Sequence, residues 1–459
     1  MKPKIKAVLD PQFLPLALVC RDMREKSKGA GQDFIIGVQR SKGYVSVYKT
    51  RILPDGGGND EQNFDFVERI VKSMLWAFGG YKIIMAGSKI VGEKIKAAYH
   101  GDAGGLRGFD VKTMERIYER PFEVELRDSS DPPVATHGSA SPIGRHLDGC
   151  RIGFDAGGSD RKVSAVINGE PVYSEEVIWH PKVNSDPEYH YSGILESMKT
   201  AASHMPRVDG IGISSAGVYI DNRIMIASLF LAVSDEDFQK RVKNMYLDVC
   251  REIGEDIPVE VANDGDVTAL AGAMELNANN VLGIAMGTSE AGGYVDGNGN
   301  ITGWLNELAF VPVDYSKEAM ADEWSGDYGC GVKYFSQDAV IKLAPAAGIS
   351  LEASLTPAEK LEAVQALMKN GDERAKKIYE TIGVYFGYAV AYYAEFYEIE
   401  HVLLMGRVTS GEGGAIMLEK ARQVLAEEFP ELAMKLHLPD ESARRVGQSV
   451  AAASLPKIK

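Results

Sequence analysis

Cysteine and positive charge are both scarce in this sequence. Among 459 residues there are four cysteines, Cys20, Cys150, Cys250 and Cys330, far apart and never in a CxxC pair. That spacing argues against a disulfide scaffold and against a cysteine-cage zinc site, and it makes a reducing cytoplasm the expected compartment. Lys and Arg number 50 against 65 Asp and Glu, a formal net charge of −15. A chain short of cations is poorly suited to nucleic acid, whose phosphates attract a basic face. It has no evident means of docking on an anionic membrane either. Long apolar runs are also missing. The longest, residues 382–394, carries four tyrosines and is too short to span a bilayer. Its Gly383, Gly387 and Ala389 fit a tightly packed buried helix instead. The apolar patch 13–20 follows Asp10 and Pro11 and runs into Arg21, Asp22 and Arg24, so it is not read as a signal peptide.

The balance of 45% hydrophobic and 25% charged residues is that of a globular protein, and the length accommodates about three domain-sized units. A boundary is expected near residue 150, because 128–141 reads DSSDPPVATHGSAS, a loop composition. Beyond it, short apolar runs alternate with glycine turns and helical patterns, the mark of α/β architecture. Strands are expected over 150–155, 162–167, 170–178, 210–214, 257–261, 281–286 and 401–405. Helices are expected over 191–204, 268–276, 415–428 and 442–453, and 334–397 reads as largely helical. Before the boundary, runs at 34–38 and 44–52 read as a hairpin, followed by a helix over 66–78, a strand over 81–85 and a helix over 91–99. This order leaves open a degenerate duplication of the later units or an accessory α/β segment.

Three segments could carry chemistry. Asp155 ends a strand and precedes Gly157, Gly158 and Ser159. Consecutive glycines let backbone N–H groups approach phosphate oxygens, and a neighbouring carboxylate can hold Mg²⁺, usually through water. Arg161 or Lys162 would add positive charge. A plain hairpin turn explains the same residues. Gly287, Thr288 and Ser289 follow another apolar strand and form a second candidate phosphate turn, with Glu290 directly after them. Asn263 and Asp264 follow a third strand. A carboxylate there is placed to take a proton from a substrate hydroxyl, but Asn and Asp are also preferred helix N-caps. His180 and His190 read as solvated loop histidines. Trp304 could stack on a sugar face or pack in the core.

Taken in order, these segments resemble the superfold of actin, sugar kinases and heat-shock ATPases, and within it the ROK family of sugar kinases and repressors. The resemblance rests on IGFDAGGSDRKVSAVINGE, GIGISSAGVYID, VEVANDGDVTALAGAMEL, VLGIAMGTSEAGGYVDGNGNI, NELAF, GCGVKYFSQDAV and HVLLMGRVTS. It covers roughly residues 150–455. It implies two actin-like ATPase (ribonuclease H-like) α/β domains around a cleft, plus an N-terminal α/β extension. The expected divisions are 1–149 for the extension, 150–262 for the first domain with 440–459 returning to it, and 263–439 for the second. By position, Asp155 would lie near Mg²⁺, with Gly157, Gly158 and Ser159 in the first phosphate loop and Gly287, Thr288 and Ser289 in the second. Gly406 would border adenosine. Asn263, Asp264 and Glu307 would bind the sugar, Ser215 and Gly217 would line its side, and Asp264 would be the general base. The implied activity is ATP- and Mg²⁺-dependent phosphorylation of a sugar hydroxyl. The alternatives are a non-catalytic sugar- or nucleotide-binding regulator, or an N-acetylglucosamine-kinase/BadF-type ATPase suggested by 325–331. The family's zinc-binding His is replaced by Phe310, and Trp324, Ser325 and Asp327 stand where partners of Cys330 would be expected, so no zinc site is expected. Repressors of the family carry a winged helix, for which the first 150 residues show no pattern. Homodimers are common among such relatives, and the sequence leaves the oligomeric state open.

Overall fold

The computed structural model describes residues 2–100, 105–136, 143–438 and 441–458. The last part of the 128–141 linker therefore lies outside the described residues. The chain opens with a helix, Leu16–Ser27, formed from the apolar patch that the sequence places near the N-terminus. Strands β1 (Gln32–Gln39) and β2 (Val45–Ile52) then pair antiparallel, from Gln32↔Ile52 to Gln39↔Val45. The helix Asp60–Phe78 starts with two acids, Asp60 and Glu61, which favour the positive end of its dipole. Strands β3 (Lys82–Ala86) and β4 (Glu123–Arg127) complete a four-stranded sheet in the order β2-β1-β3-β4. The helix Gly108–Tyr118 was not anticipated, although its buried Val111, Met114, Ile117 and Tyr118 recur at helical spacing.

The second sheet contains β5 (Cys150–Ala156), β6 (Asp160–Ile167), β7 (Glu170–Ile178), β8 (Gly210–Ser215) and β11 (Val259–Asn263), in the order β11-β8-β5-β6-β7. A separate hairpin, β9 (Val218–Ile220) with β10 (Arg223–Ile226), lies between β8 and β11 in the chain. Strands β5, β8 and β11 run parallel, while β5–β6 and β6–β7 are antiparallel. Ile152, Phe154, Ile211 and Ile213 pack in one core with Ile194 and Met198 of the helix Pro187–Ser203 and Val249 of the helix Met245–Ile253. The helix Glu441–Ala453 lies so close to β5 and β8 that a Cβ on Gly153 or Gly212 would collide with the carbonyl of Ser449 or Ala452. The small residues of that helix permit this approach. In the N-terminal sheet β3 is antiparallel to β1, whereas β8 is parallel to β5. The N-terminal sheet therefore does not repeat the strand directions of the second sheet, which favours the accessory segment over a copy of that unit.

The third sheet has the order β13-β12-β14-β15, with β12 Val281–Met286, β13 Glu290–Val295, β14 His401–Met405 and β15 Lys435–His437. The tyrosine-rich helix Glu373–Tyr393 is buried continuously from Thr381 to Tyr393 and packs on the helix Glu412–Glu428. Among the described residues no helix is long and apolar enough to cross a membrane. All four cysteines are free and buried.

The chain forms two compact units. The first comprises Met1–Gly138, Ile284–Gly292 and Trp304–Leu438, and the second Ser139–Gly283, Gly293–Gly303 and Pro439–Lys459. The N-terminal segment thus shares a unit with 304–438, and the helix Asp264–Glu275 groups with the sheet that precedes it.

Inside the first unit, the N-terminal segment is joined to the 306–330 region by buried charge. Arg69 grips Asp327 through two nitrogens, at 3.0 and 3.2 Å. Lys72 Nζ and Arg107 Nη1 reach the same carboxylate at 2.7 and 2.8 Å. Glu68 pairs with Arg69 and Arg107, and Asp110 accepts from Trp76 Nε1 at 2.9 Å. Three cations therefore face three carboxylates, all buried. Burial pushes the Glu68 and Asp110 carboxyls up. Burial also opposes the charge of Arg69, but the Glu68 and Asp327 carboxylates outweigh it and hold the guanidinium well above its usual range. Removing one member leaves the rest unbalanced in a low dielectric. Asp327→Ala is expected to cost about 3–5 kcal/mol, read as a lowered urea midpoint in equilibrium unfolding. An unchanged midpoint would show that the cluster is not needed for stability.

Candidate functional site

In the second unit, the parallel register brings three strand ends to one level. Asp155 of β5 stands opposite Ser214 of β8, and Ser215 stands opposite Asn263 of β11. Ser214 Oγ donates to Asp155 Oδ1 at 2.8 Å, and Gln448 Nε2 lies 3.5 Å from the same oxygen. Asp155 is buried. Burial, lowered in effect by the Ser214 hydrogen bond and reinforced by the nearby charge of Asp264, raises its carboxyl to about 6.

Asn263 caps the helix Asp264–Glu275. Its Oδ1 accepts from Gly265 N at 2.8 Å, and its Nδ2 donates to Gly217 O at 2.8 Å. The helix starts four residues earlier than the sequence pattern indicated. The capping role thus falls chiefly on Asn263, and Asp264 follows as the first helical residue, half-buried. Asp264 Oδ1 accepts from Gly265 N at 3.0 Å. Among the described residues Oδ2 accepts no hydrogen bond. Burial raises the Asp264 carboxyl, and the backbone N–H groups of Gly265 and of Asp264 itself partly offset this. Ser215 is fully buried, and its hydroxyl pairs with Tyr246 Oη at 2.8 Å.

The 157–159 turn is held by a tryptophan from just beyond β7. Trp179 donates from Nε1 to Gly157 O at 2.8 Å and from its backbone N to Ser159 O at 3.1 Å. The expected cations are engaged elsewhere. Arg161 is buried against Ser197 and Glu196, and Lys162 pairs with Asp160. Lys182 lies over the turn instead: a Cβ built on Gly158 would stand 3.3 Å from its Nζ. His190 is not a solvated loop residue. It lies in the helix Pro187–Ser203, fully buried, bridging the carbonyls of Asp186 and Pro181 at 3.1 Å each.

In the first unit, neighbouring strands β12 and β14 both end in glycine turns. Gly406 has φ +100°, and a Cβ there would collide with the backbone of Met286. Only glycine suits this place, which sets the 406–409 turn directly beside the 287–289 turn. Gly287 N donates to Ser289 O at 2.9 Å, and Gly287 O accepts from Gln337 N at 2.9 Å. Arg407 Nη2 donates to Thr288 Oγ1 at 3.2 Å. Glu307 is half-buried, and its backbone N donates to Trp76 O at 3.0 Å, while Asn306 N donates to Ala77 O at 2.9 Å. Phe310 packs on Trp76 at 4.2 Å between ring centroids. Trp304 lies against Phe78 and Tyr397. Among the described residues no group of three or more His, Cys, Asp or Glu side chains is arranged to hold a metal ion.

Glu290 is buried. Its Oε1 lies 3.5 Å from Tyr393 Oη, its Oε2 has no hydrogen-bond partner among the described residues, and the carboxyl rests on Gly331. Burial, with a contribution from Glu307 and against the Tyr393 hydrogen bond, raises it well above its ordinary value of 4.5. The folded state therefore holds this proton more firmly than the unfolded chain. Its stabilising effect is complete below about pH 4.5 and is lost as pH rises through the raised value. Glu290→Gln should gain melting temperature relative to the wild type as pH is stepped from 4 to 9. A constant difference across that series would contradict a buried, protonated Glu290.

Residues 151–451 match the ROK family. No curated protein sequence matches the chain. Solved structures with a similar fold include a ROK hexokinase from Thermus thermophilus, with TM-score 0.51 and 18% identity over 66% of this chain and 97% of that one. A ROK glucokinase from Streptomyces griseus, solved with glucose and AMPPNP, has TM-score 0.50 and 19% identity over 67% and 99%. A ROK family transcriptional regulator, a homologue of the E. coli MLC protein, has TM-score 0.51 and 19% identity over 67% and 79%. At these identities the likeness is one of fold, and the family match settles the rest: the chain belongs to the ROK family and has its actin-like ATPase fold.

Proposed function

We propose that this protein is an ATP-dependent kinase acting on a hydroxyl of a sugar or sugar-like substrate. The observation that carries the reading is Asp264. It follows a strand end, its capping duty is largely taken by Asn263, among the described residues its carboxylate is met only by the N–H groups of Gly265 and of Asp264 itself, and the buried carboxyl of Asp155 lies in the same strand-end group. In the reaction Asp264 accepts the proton of the substrate hydroxyl. The hydroxyl oxygen bonds to the γ-phosphorus as the bond from that phosphorus to the β,γ-bridging oxygen breaks, and ADP leaves. The raised carboxyl of Asp264 makes it a better base for this task than a solvated aspartate.

Asp155 fits a divalent cation. Its carboxyl is buried and, among the described residues, is met by Ser214 and Gln448 rather than by a close cation, so a bound Mg²⁺ would relieve the cost of its burial. Mg²⁺ there would neutralise charge on the transferring phosphates. The turns at 157–159 and 287–289 offer backbone to phosphate, and the Gly406 turn borders adenosine. Asn263 and Glu307 hydrogen-bond sugar hydroxyls, and the 215–217 segment supports Asn263 through Gly217 O. The family fold and the glucose- and AMPPNP-bound Streptomyces griseus relative support this reading. The burial of Glu290 against Tyr393 supports it too, because that charge does not then oppose phosphate at the neighbouring turn.

A second reading is a non-catalytic sugar- or nucleotide-binding regulator. The aromatic packing at Phe310, beside the proposed acceptor residue Glu307, favours it. A coupled ADP-release assay over hexoses, amino sugars and polyols separates the two, since nucleotide binding without sugar-dependent turnover points to the regulator. Asp264→Asn is expected to lower kcat by about 10²–10⁴-fold while nucleotide affinity, measured by titration calorimetry, stays near wild type. Near-normal turnover in that variant would remove Asp264 from the role of base.

A further inference from the structure

Arg407 is absent from the site as read from the sequence. Its backbone is fixed. Its carbonyl accepts from Gln365 Nε2 at 2.7 Å and Ser410 N at 3.2 Å, and Gly406 O accepts from Thr409 N at 3.1 Å and Thr409 Oγ1 at 2.7 Å. The close packing of Gly406 on Met286 sets this turn beside the 287–289 turn. From there the exposed guanidinium extends to Thr288. Among the described residues no carboxylate pairs with it, in a chain whose net charge is −15.

The 287–289 turn needs such a group if it is to hold an anion. Gly287 N–H is consumed by Ser289 O, so that donor is not free for a ligand. Glu290, the acid next in sequence, is buried against Tyr393 and does not compete for the guanidinium. Arginine has five N–H donors in a rigid planar fork that matches phosphate oxygens, and the bond to Thr288 uses one of them. We propose that Arg407 is the cation this chain supplies to the phosphate groups of a nucleotide at the 287–289 turn. The inference rests on the nucleotide part of the reading above and adds a binding residue to it.

The test is titration calorimetry of wild type, Arg407→Ala and Arg407→Lys with ADP and with adenosine, in the absence of sugar. Circular dichroism confirms that each variant is folded. Arg407→Ala should weaken ADP binding about 10- to 100-fold and leave adenosine binding unchanged. Arg407→Lys should retain part of the ADP affinity, because it keeps the charge and loses the fork. Equal ADP affinity in wild type and Arg407→Ala would overturn the inference alone. So would an equal loss for ADP and adenosine, which would mark Arg407 as a structural residue of the turn. A wild-type protein that binds neither ligand would overturn the nucleotide reading, and this inference with it.

Discussion

A carboxylate taken out of water must be neutralised, by a proton or by positive charge, and Asp327 is met by three cations. Two of them, Arg69 and Lys72, lie three residues apart on one face of the Asp60–Phe78 helix, and Arg107 comes from just before the next helix but one. Each of these buried charges is compensated by the others, and removing one leaves the rest unbalanced. The N-terminal segment is therefore part of the interior of the first unit and not an appendage to it. The same helix ends in the usual unpaired carbonyls of a last turn. Two of these, on Trp76 and Ala77, accept from Glu307 and Asn306. The backbone that carries Glu307 is thus held directly by residues upstream of the ROK-matched region.

Asp155 gives the contrast. It is as buried as Asp327, yet among the described residues it is met by a serine hydroxyl and a distant amide. The energetic consequence differs accordingly. A carboxylate satisfied by three cations has no capacity left for a ligand. One that is desolvated and weakly met stabilises any cation that arrives. The parallel register of β5, β8 and β11 produces this arrangement, since it ends the three strands together, with Asp155 beside Ser214 and, one residue further along, Asn263 beside Ser215.

Most strands of 150–286 were legible as short runs of β-forming residues near turn residues, and β7, β12 and, further along, β14 fall where the pattern puts them. The start of the Asp264–Glu275 helix was not, because Asn263 caps it with residues that also read as a binding pair. The strands of the hairpin β9–β10, three and four residues long, are too short to show a pattern, while the helix Met245–Ile253 does carry one, in its buried Met245, Tyr246, Val249 and Cys250. The fate of Glu290 and Asp327 could not be read at all. A lone acid in sequence says nothing of whether a tyrosine, a glycine face or three cations will surround it. Those partners lie tens to hundreds of residues away, as with Arg69 and Asp327.

The cations show most clearly why proximity in sequence is a poor guide to a site. Arg161 and Lys162 adjoin the first glycine turn, but strand alternation turns the former under the Pro187–Ser203 helix and leaves the latter beside Asp160. The positive charge over Gly158 comes instead from Lys182, beyond β7, where the chain returns through Trp179 to fasten the turn. At the second glycine turn the charge comes from Arg407, more than a hundred residues along, because strand order makes β14 the neighbour of β12. In an acidic protein many basic side chains are drawn into pairs. A cation that the fold instead leaves over a glycine turn, unmatched by any carboxylate among the described residues, is the one whose partner is to be sought outside the chain.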